Sequence, residues 1–268
     1  DAGLVEQPAL FVAMARAFGG GRGVQAGSYA IPKGLGYGGI LTMLQSGRVA
    51  TTRVTIPEGW PSVMVAERLR KNEELTGDIA VPAEGSVLPD TYAFAKGSPR
   101  ADAVTTMQAA MKRTLAELWP KRTALSVVKT PEEAVILASI VEKETGKASE
   151  RRMIAGVYSN RLRIGMKLDA DPTVIYPITQ GKPLGRRIKR SELNADNGYN
   201  TYARAGLPKG PIANPGRDSI AAVLDPAPTK ALYFVADGSG GHVFANSLAE
   251  HNANVAKWYA LRRAKGEM

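Results

Sequence analysis

The chain has 268 residues, 44% of them hydrophobic, and a formal net charge of +10, enough for one large domain or a catalytic domain with a smaller module. It has no cysteine and only two histidines, His242 and His251, which excludes a disulfide framework and a cysteine-histidine zinc cluster. The positive charge suits an anionic surrounding such as phospholipid headgroups or acidic wall polymer, but its lysines and arginines are scattered and no aromatic-interleaved block reads as a nucleic-acid groove.

The first residue is Asp1 rather than Met, so a preceding segment is expected. Ala9 to Phe18 is broken by Arg16 and is too short for a membrane span of ~20 residues. Pro8 to Phe18 reads as a helix, with Leu10, Met14 and Phe18 on one stripe, ended by Gly19-Gly20-Gly21. A strand over Gly27 to Ile31, a helix from about Tyr37 to Gln45 and an alternating strand over Arg53 to Ile56 follow. After Pro57-Glu58-Gly59-Trp60-Pro61 a helix turns Val63, Ala66 and Leu69 inward. These short units make a compact α/β module, placed at residues 1–83. Residues 84–268 form the second domain. In it, Leu88-Pro89-Asp90-Thr91-Tyr92 is a turn entering an aromatic strand, and a helix from Asp102 to Trp119 stops at Pro120.

Thr130-Pro131-Glu132-Glu133 supplies an N-cap, a first-turn proline and a capping-box glutamate, which fixes a helix start. From that register Leu137, Ile140, Val141 and Glu144 share one face, whereas Glu142 follows Val135, Ala138 and Ser139. Gly146 leaves Glu144 in the last turn. A carboxyl beside apolar side chains and a helix C-terminus is disfavoured as the anion, so its pKa rises, as a general acid requires. The other reading pairs Glu144 with Lys143, Lys147 or an arginine of the next helix. That helix, from about Ser149 to Gly165, turns Met153, Val157 and Tyr158 inward and carries Arg151, Arg152, Arg161 and Arg163 on its other faces, solvated by default, with contact to substrate carboxylates as the alternative.

Leu168 to Tyr176 places Asp169, Asp171 and Thr173 on a turn before an apolar segment, a candidate site loop. Gly181 to Arg190 is a basic, exposed and mobile loop. Tyr199-Asn200-Thr201-Tyr202 and the stretch from Gly206 to Gly216 combine rings and amides, which suits sugar recognition or a packed surface loop equally. A short helix from Ser219 to Leu224, a hairpin of Leu232 to Ala236 with His242 to Ala245, and a final helix capped by Asn246 or Ser247 complete the chain.

Glu142-Lys143-Glu144-Thr145, Asn160-Arg161-Leu162, Asp171-Pro172-Thr173-Val174-Ile175-Tyr176, Tyr199 to Tyr202, Gly206-Leu207-Pro208 and the Tyr233 to His242 hairpin stand in the order found in one family. The chain resembles the MltG (YceG-like) endolytic murein transglycosylases over nearly its whole length. The resemblance implies an α+β protein, with a LysM-like module truncated at its N-terminus in residues 1–83 and a transglycosylase domain in 84–268. It implies a single-pass anchor in the bacterial inner membrane, ahead of this chain, and a site facing the periplasm. Glu144 is then the catalytic acid, with Asp171, Thr173, Tyr199, Asn200, Thr201 and His242 along the substrate groove. No metal and no cofactor are expected. The substrate is the peptidoglycan glycan strand, peptidoglycan synthases are the expected neighbours, and nucleic acid is not a partner. Asp169-Ala170 and Lys209 depart from the family's usual residues. A two-carboxylate muramidase using Asp171 or Asp169 and a non-cleaving glycan-binding module are the alternatives.

Overall fold

The computed structural model describes residues 7–266 apart from 19, 21, 22, 26 and 48. In chain order its elements are α1 (Pro8–Phe18), α2 (Tyr37–Ser46), β1 (Thr51–Thr55), α3 (Ser62–Arg70), β2 (Thr91–Ala95), α4 (Arg100–Leu118) and α5 (Pro131–Glu144). Then follow α6 (Arg151–Arg163), α7 (Asp171–Thr179), α8 (Arg190–Leu193), α9 (Arg217–Leu224), β3 (Tyr233–Ala236), β4 (His242–Ala245) and α10 (Leu248–Ala264). Helices and two small antiparallel sheets make the α+β architecture expected from the sequence.

The first sheet pairs β1 with β2, Val54 standing opposite Tyr92. In β1 the alternation Thr51 to Thr55 reads exposed, buried, exposed, buried, exposed, the period of a strand with one solvated face. Its inner side chains join one core with Val65 and Leu69 of α3, Val87, Phe94 of β2 and Met107 of α4. Packing therefore runs across position 83 without a break. The boundary placed there from the run of short strands and helices falls among residues that share a core, because the partner strand of β1 lies beyond it. The expected strand from Gly27 to Ile31 does not form; residues 27–31 are irregular, and Ser28 contributes a single carbonyl contact to the N–H of Ala50. The glycine breaker falls partly outside the described residues.

The larger core surrounds α5. Leu137, Ile140 and Val141 meet Ile154 and Tyr158 of α6, Ile220 and Val223 of α9, Leu168 and Ile212. The sheet of β3 and β4, with Tyr233 opposite Ala245, covers one end, and Phe234 packs edge-on to Tyr158 with ring centroids 5.9 Å apart. Ser247 caps α10 by accepting the N–H of Glu250 at 3.2 Å. The apolar segment after Asp171 is a helix rather than a strand or turn, Asp171 and Pro172 occupying its first turn as that position favours.

Candidate active site

The start of α5 is fixed as the sequence indicates: Thr130 Oγ1 accepts the N–H of Glu133 at 3.2 Å, and Glu133 reaches back to the N–H of Lys129 at 2.6 Å. Along the helix Ala134, Val135 and every residue from Leu137 to Val141 are buried. Both candidate rows are thus enclosed, and register alone does not separate the two glutamates.

Their partners do. Glu142 stands 3.5 Å from Arg151 and accepts the N–H of Gly216 at 2.9 Å. Arg151 also reaches Glu58 at 2.9 Å and Asp218 at 3.7 Å, so it is not on a solvated face as expected. Lys143 donates to the carbonyl of Gly59 at 3.3 Å, and Lys147 pairs with Glu150 at 3.4 Å. The cations that could have neutralised Glu144 are engaged elsewhere, and among the described residues Glu144 has no ion pair.

Glu144 instead lines a cleft of about 440 Å³ with Tyr158, Arg161, Asp169, Asp171, Tyr202 and His251 among its walls. Burial of its carboxyl raises the pKa to about 7, opposed by hydrogen bonding from Tyr158, reinforced by the Asp171 charge and opposed again by Arg161. Near neutrality both its protonated and its ionised forms are within reach, the condition for acting as acid and then as base.

Arg161 is buried, correcting the expectation of a solvated face. Its guanidinium donates to the carbonyls of Leu232 and Leu168, both at 2.7 Å, and of Lys167 at 3.3 Å, with Asp169 at 3.8 Å. Three carbonyls and a distant carboxylate satisfy the charge while fixing the rim of the cleft. Asp169 adopts a left-handed φ of 47°. Its pKa is raised by burial, against the pull of Arg161 and Lys167. Asp171 accepts the hydroxyl of Tyr202 at 2.7 Å, which holds a second carboxylate in the cleft as an acceptor.

Of the residues expected along the groove, Asp171 lines the cleft and the others do not. Thr173 and Thr201 are buried and bonded to each other at 2.9 Å; Thr173 also donates to the Ala170 carbonyl at 2.6 Å, and Thr201 accepts the Ala170 N–H at 3.0 Å. They tie the 169–173 turn to the 199–202 segment, and a substrate cannot reach them. Asn200 is likewise enclosed, its amide donating to the carbonyls of Leu193 at 2.9 Å and Ala195 at 2.8 Å. Tyr199 lies against Tyr176, with centroids 4.9 Å apart, and under the Lys209 ammonium at 4.8 Å, away from the walls of the cleft. His242 is held by Glu150, which meets its Nδ1 at 2.7 Å and its backbone N–H at 3.1 Å. Asn214, another amide of the long polar stretch, is a staple: it donates to the Trp60 carbonyl and Ser62 Oγ, both at 3.0 Å, and accepts the N–H of Val87 at 3.0 Å.

Tyr158 and His251 stand outside every motif quoted from the sequence, while Arg161 and Tyr202 lie inside two of them without a role of their own. Tyr158 carried only a core signal, and Tyr202 stood inside a motif already noted. His251 had no local signal at all, since only the folded chain brings α10 to this cleft.

The fold and cleft define an α+β protein with an acid of raised pKa in an open, polar cleft. It belongs to the YceG-like family, whose profile matches residues 1–257. The endolytic murein transglycosylase of Bacillus subtilis (strain 168) is 30% identical over 279 residues, covering 92% of this chain and 76% of that protein. The endolytic murein transglycosylase of Streptococcus pneumoniae serotype 2 (strain D39) is 36% identical over 180 residues, 65% of this chain, and the match spans 32% of that longer protein. A 2.6 Å crystal structure of a YceG-like protein from Listeria monocytogenes matches with a TM-score of 0.61 at 28% identity, covering 91% of this chain and 89% of that one.

Proposed function

We propose that this protein is a peptidoglycan lytic transglycosylase that cleaves nascent glycan strands internally, with Glu144 as its catalytic acid. The observation that carries the reading is a cleft carboxyl lacking an ion pair and raised to about 7, in a chain whose relatives are named for this activity. Glu144 protonates the oxygen linking N-acetylmuramic acid to N-acetylglucosamine, and the bond from that oxygen to the muramic C1 breaks. The resulting carboxylate takes the proton of the muramic 6-hydroxyl as that oxygen attacks C1. The product is a 1,6-anhydro end, the proton lent by Glu144 is regained and no water is consumed. One carboxyl can serve both steps because the nucleophile is already part of the substrate, unlike the water of a two-carboxylate hydrolase. Arg161 fixes the turn after α6, and Tyr202 orients Asp171 towards the sugar.

The proposal includes a site facing the periplasm, an anchor in the inner membrane, a LysM-like arm in the N-terminal part of the chain that holds glycan, and neighbouring synthases. The net charge of +10 supports work beside an anionic surface. No helix among the described residues is long and apolar enough to cross a membrane.

A second reading has an observation of its own: Asp171 lines the same cleft as Glu144 and could serve a hydrolytic muramidase as base. Mass spectrometry of uncrosslinked glycan digested by wild type and by Glu144→Gln separates the two. Wild type should give fragments lighter by one water than hydrolysed ones, and Glu144→Gln none. Ordinary reducing ends would overturn the transglycosylase reading.

A further inference from the structure

The two histidines have opposite situations. In His242 both the backbone N–H and Nδ1 are taken by Glu150. His251, on α10, lines the cleft that holds Glu144. Its ring lies nearly parallel to that of Tyr233, with centroids 5.2 Å apart and planes 25° from each other, and Arg161 sits 5.4 Å from the same Tyr233 ring. Nδ1 is enclosed and has no hydrogen-bond partner, and no described residue bonds Nε2 either. Nε2 is not among the enclosed unpartnered atoms, so on a ring at the wall of a polar cleft it is the nitrogen that a ligand can reach.

We propose that His251 is a further substrate-contacting residue, whose imidazole hydrogen-bonds a hydroxyl or acetamido group of the glycan bound beside Glu144. The inference rests on the glycan-cleaving reading and adds a contact to it. With Nδ1 enclosed, Nε2 is the polar atom left to face the cleft. Burial, and after it the Arg161 charge, hold the imidazole below its ordinary pKa, so it stays neutral at pH 7. A neutral imidazole offers one donor and one acceptor, and a sugar hydroxyl can complement either tautomer. Tyr233 and Arg161 fix the ring, which places the contact before substrate arrives. The C-terminal helix thereby contributes to the site, although it buries none of its own residues in the core.

The test uses the whole chain with His251→Phe, which keeps a ring for Tyr233 and removes both nitrogens, and His251→Gln, which restores a donor and an acceptor without the ring. The contact forms with bound substrate and persists in the transition state, so KM should rise about tenfold in His251→Phe with kcat little changed, the size of one lost hydrogen bond. His251→Gln should recover part of that loss. In a Glu144→Gln background, affinity for uncleaved glycan should fall by a similar factor on adding His251→Phe, with the melting midpoint unmoved. Unchanged KM and unchanged affinity in His251→Phe would overturn the inference and reduce His251 to a packing residue. The binding arm needs no catalysis, so failure of this inference is read separately from failure of the wild type to give anhydro ends.

Discussion

Glu142 and Glu144 stand two positions apart at the end of α5, yet only Glu142 is neutralised, by Arg151 at 3.5 Å and the N–H of Gly216 at 2.9 Å. Division of labour follows. Glu142 holds the end of α5 against α9 and the Glu58 loop, and Glu144 is left to titrate in the cleft. Glu144→Gln should abolish cleavage while retaining the fold. Glu142→Ala should lower unfolding stability by roughly 2 kcal/mol, since it strips one partner from an enclosed pair and leaves Arg151 with Glu58 and Asp218. Activity assays beside urea denaturation of both variants check the contrast.

The raised pKa of Glu144 has consequences for pH. Because the folded-state value lies above the ordinary 4.5, at about 7, the native state retains a proton that the unfolded chain releases. Its contribution to stability is fully present below about pH 4.5 and is lost as pH rises through 7. Glu144→Gln should therefore gain stability over wild type on the alkaline side, where wild type must bury a charge. The rate constant kcat/KM should fall with one proton above about pH 7, as the acid form of Glu144 is depleted. Denaturation and rate profiles between pH 5 and 9 measure both; a flat stability difference between the two proteins would contradict the assignment.

Asp171 is oriented by the Tyr202 hydroxyl at 2.7 Å. Tyr202→Phe removes that bond and retains the ring, so kcat/KM should drop about tenfold with the fold intact. Asp171→Asn should lower the rate similarly without changing the chemistry of the ends. Loss as complete as in Glu144→Gln would instead make Asp171 a second essential carboxylate.

His242 meets Glu150 rather than the cleft. Replacing it with Ala should leave KM and kcat within about twofold of wild type and lower stability by roughly 1 kcal/mol, the size of a lost hydrogen bond. Steady-state kinetics with a melting curve decide the matter.

Asn214 joins the Trp60 loop, Ser62 and Val87 through both ends of one amide. Its truncation to Ala leaves the buried N–H of Val87 without its acceptor, while the Trp60 carbonyl keeps the backbone N–H of residue 214, so stability should fall by about 2 kcal/mol. Denaturation of Asn214→Ala measures this.

The local signals were legible in the sequence. Thr130 and its proline mark the start of α5, and Asn246-Ser247 marks that of α10, because a cap and the backbone N–H it accepts lie within one turn. Signals that depend on distant partners were not. The pairing of β1 with β2 joins Val54 to Tyr92, and strand alternation cannot say which later segment supplies the partner. Apolar spacing puts Glu144 on the inner stripe and leaves a paired, structural role open, and α5 is enclosed on both rows; what separates the glutamates is Arg151 on the next helix and Gly216, 74 positions away. Asn200 and Asn214 resembled sugar-binding amides because an amide satisfies a backbone carbonyl or a sugar hydroxyl with the same atoms. His242 and His251 differ only through Glu150 and Tyr233, neither adjacent in sequence.

The central claim is that the nucleophile comes from the substrate itself. Digesting uncrosslinked glycan in water enriched in heavy oxygen tests it most directly. The mechanism assigned to Glu144 predicts new muramic ends that carry no label and lack one water, and their absence in Glu144→Gln. Label at the new C1 position, with ends of hydrolysed mass, would contradict it.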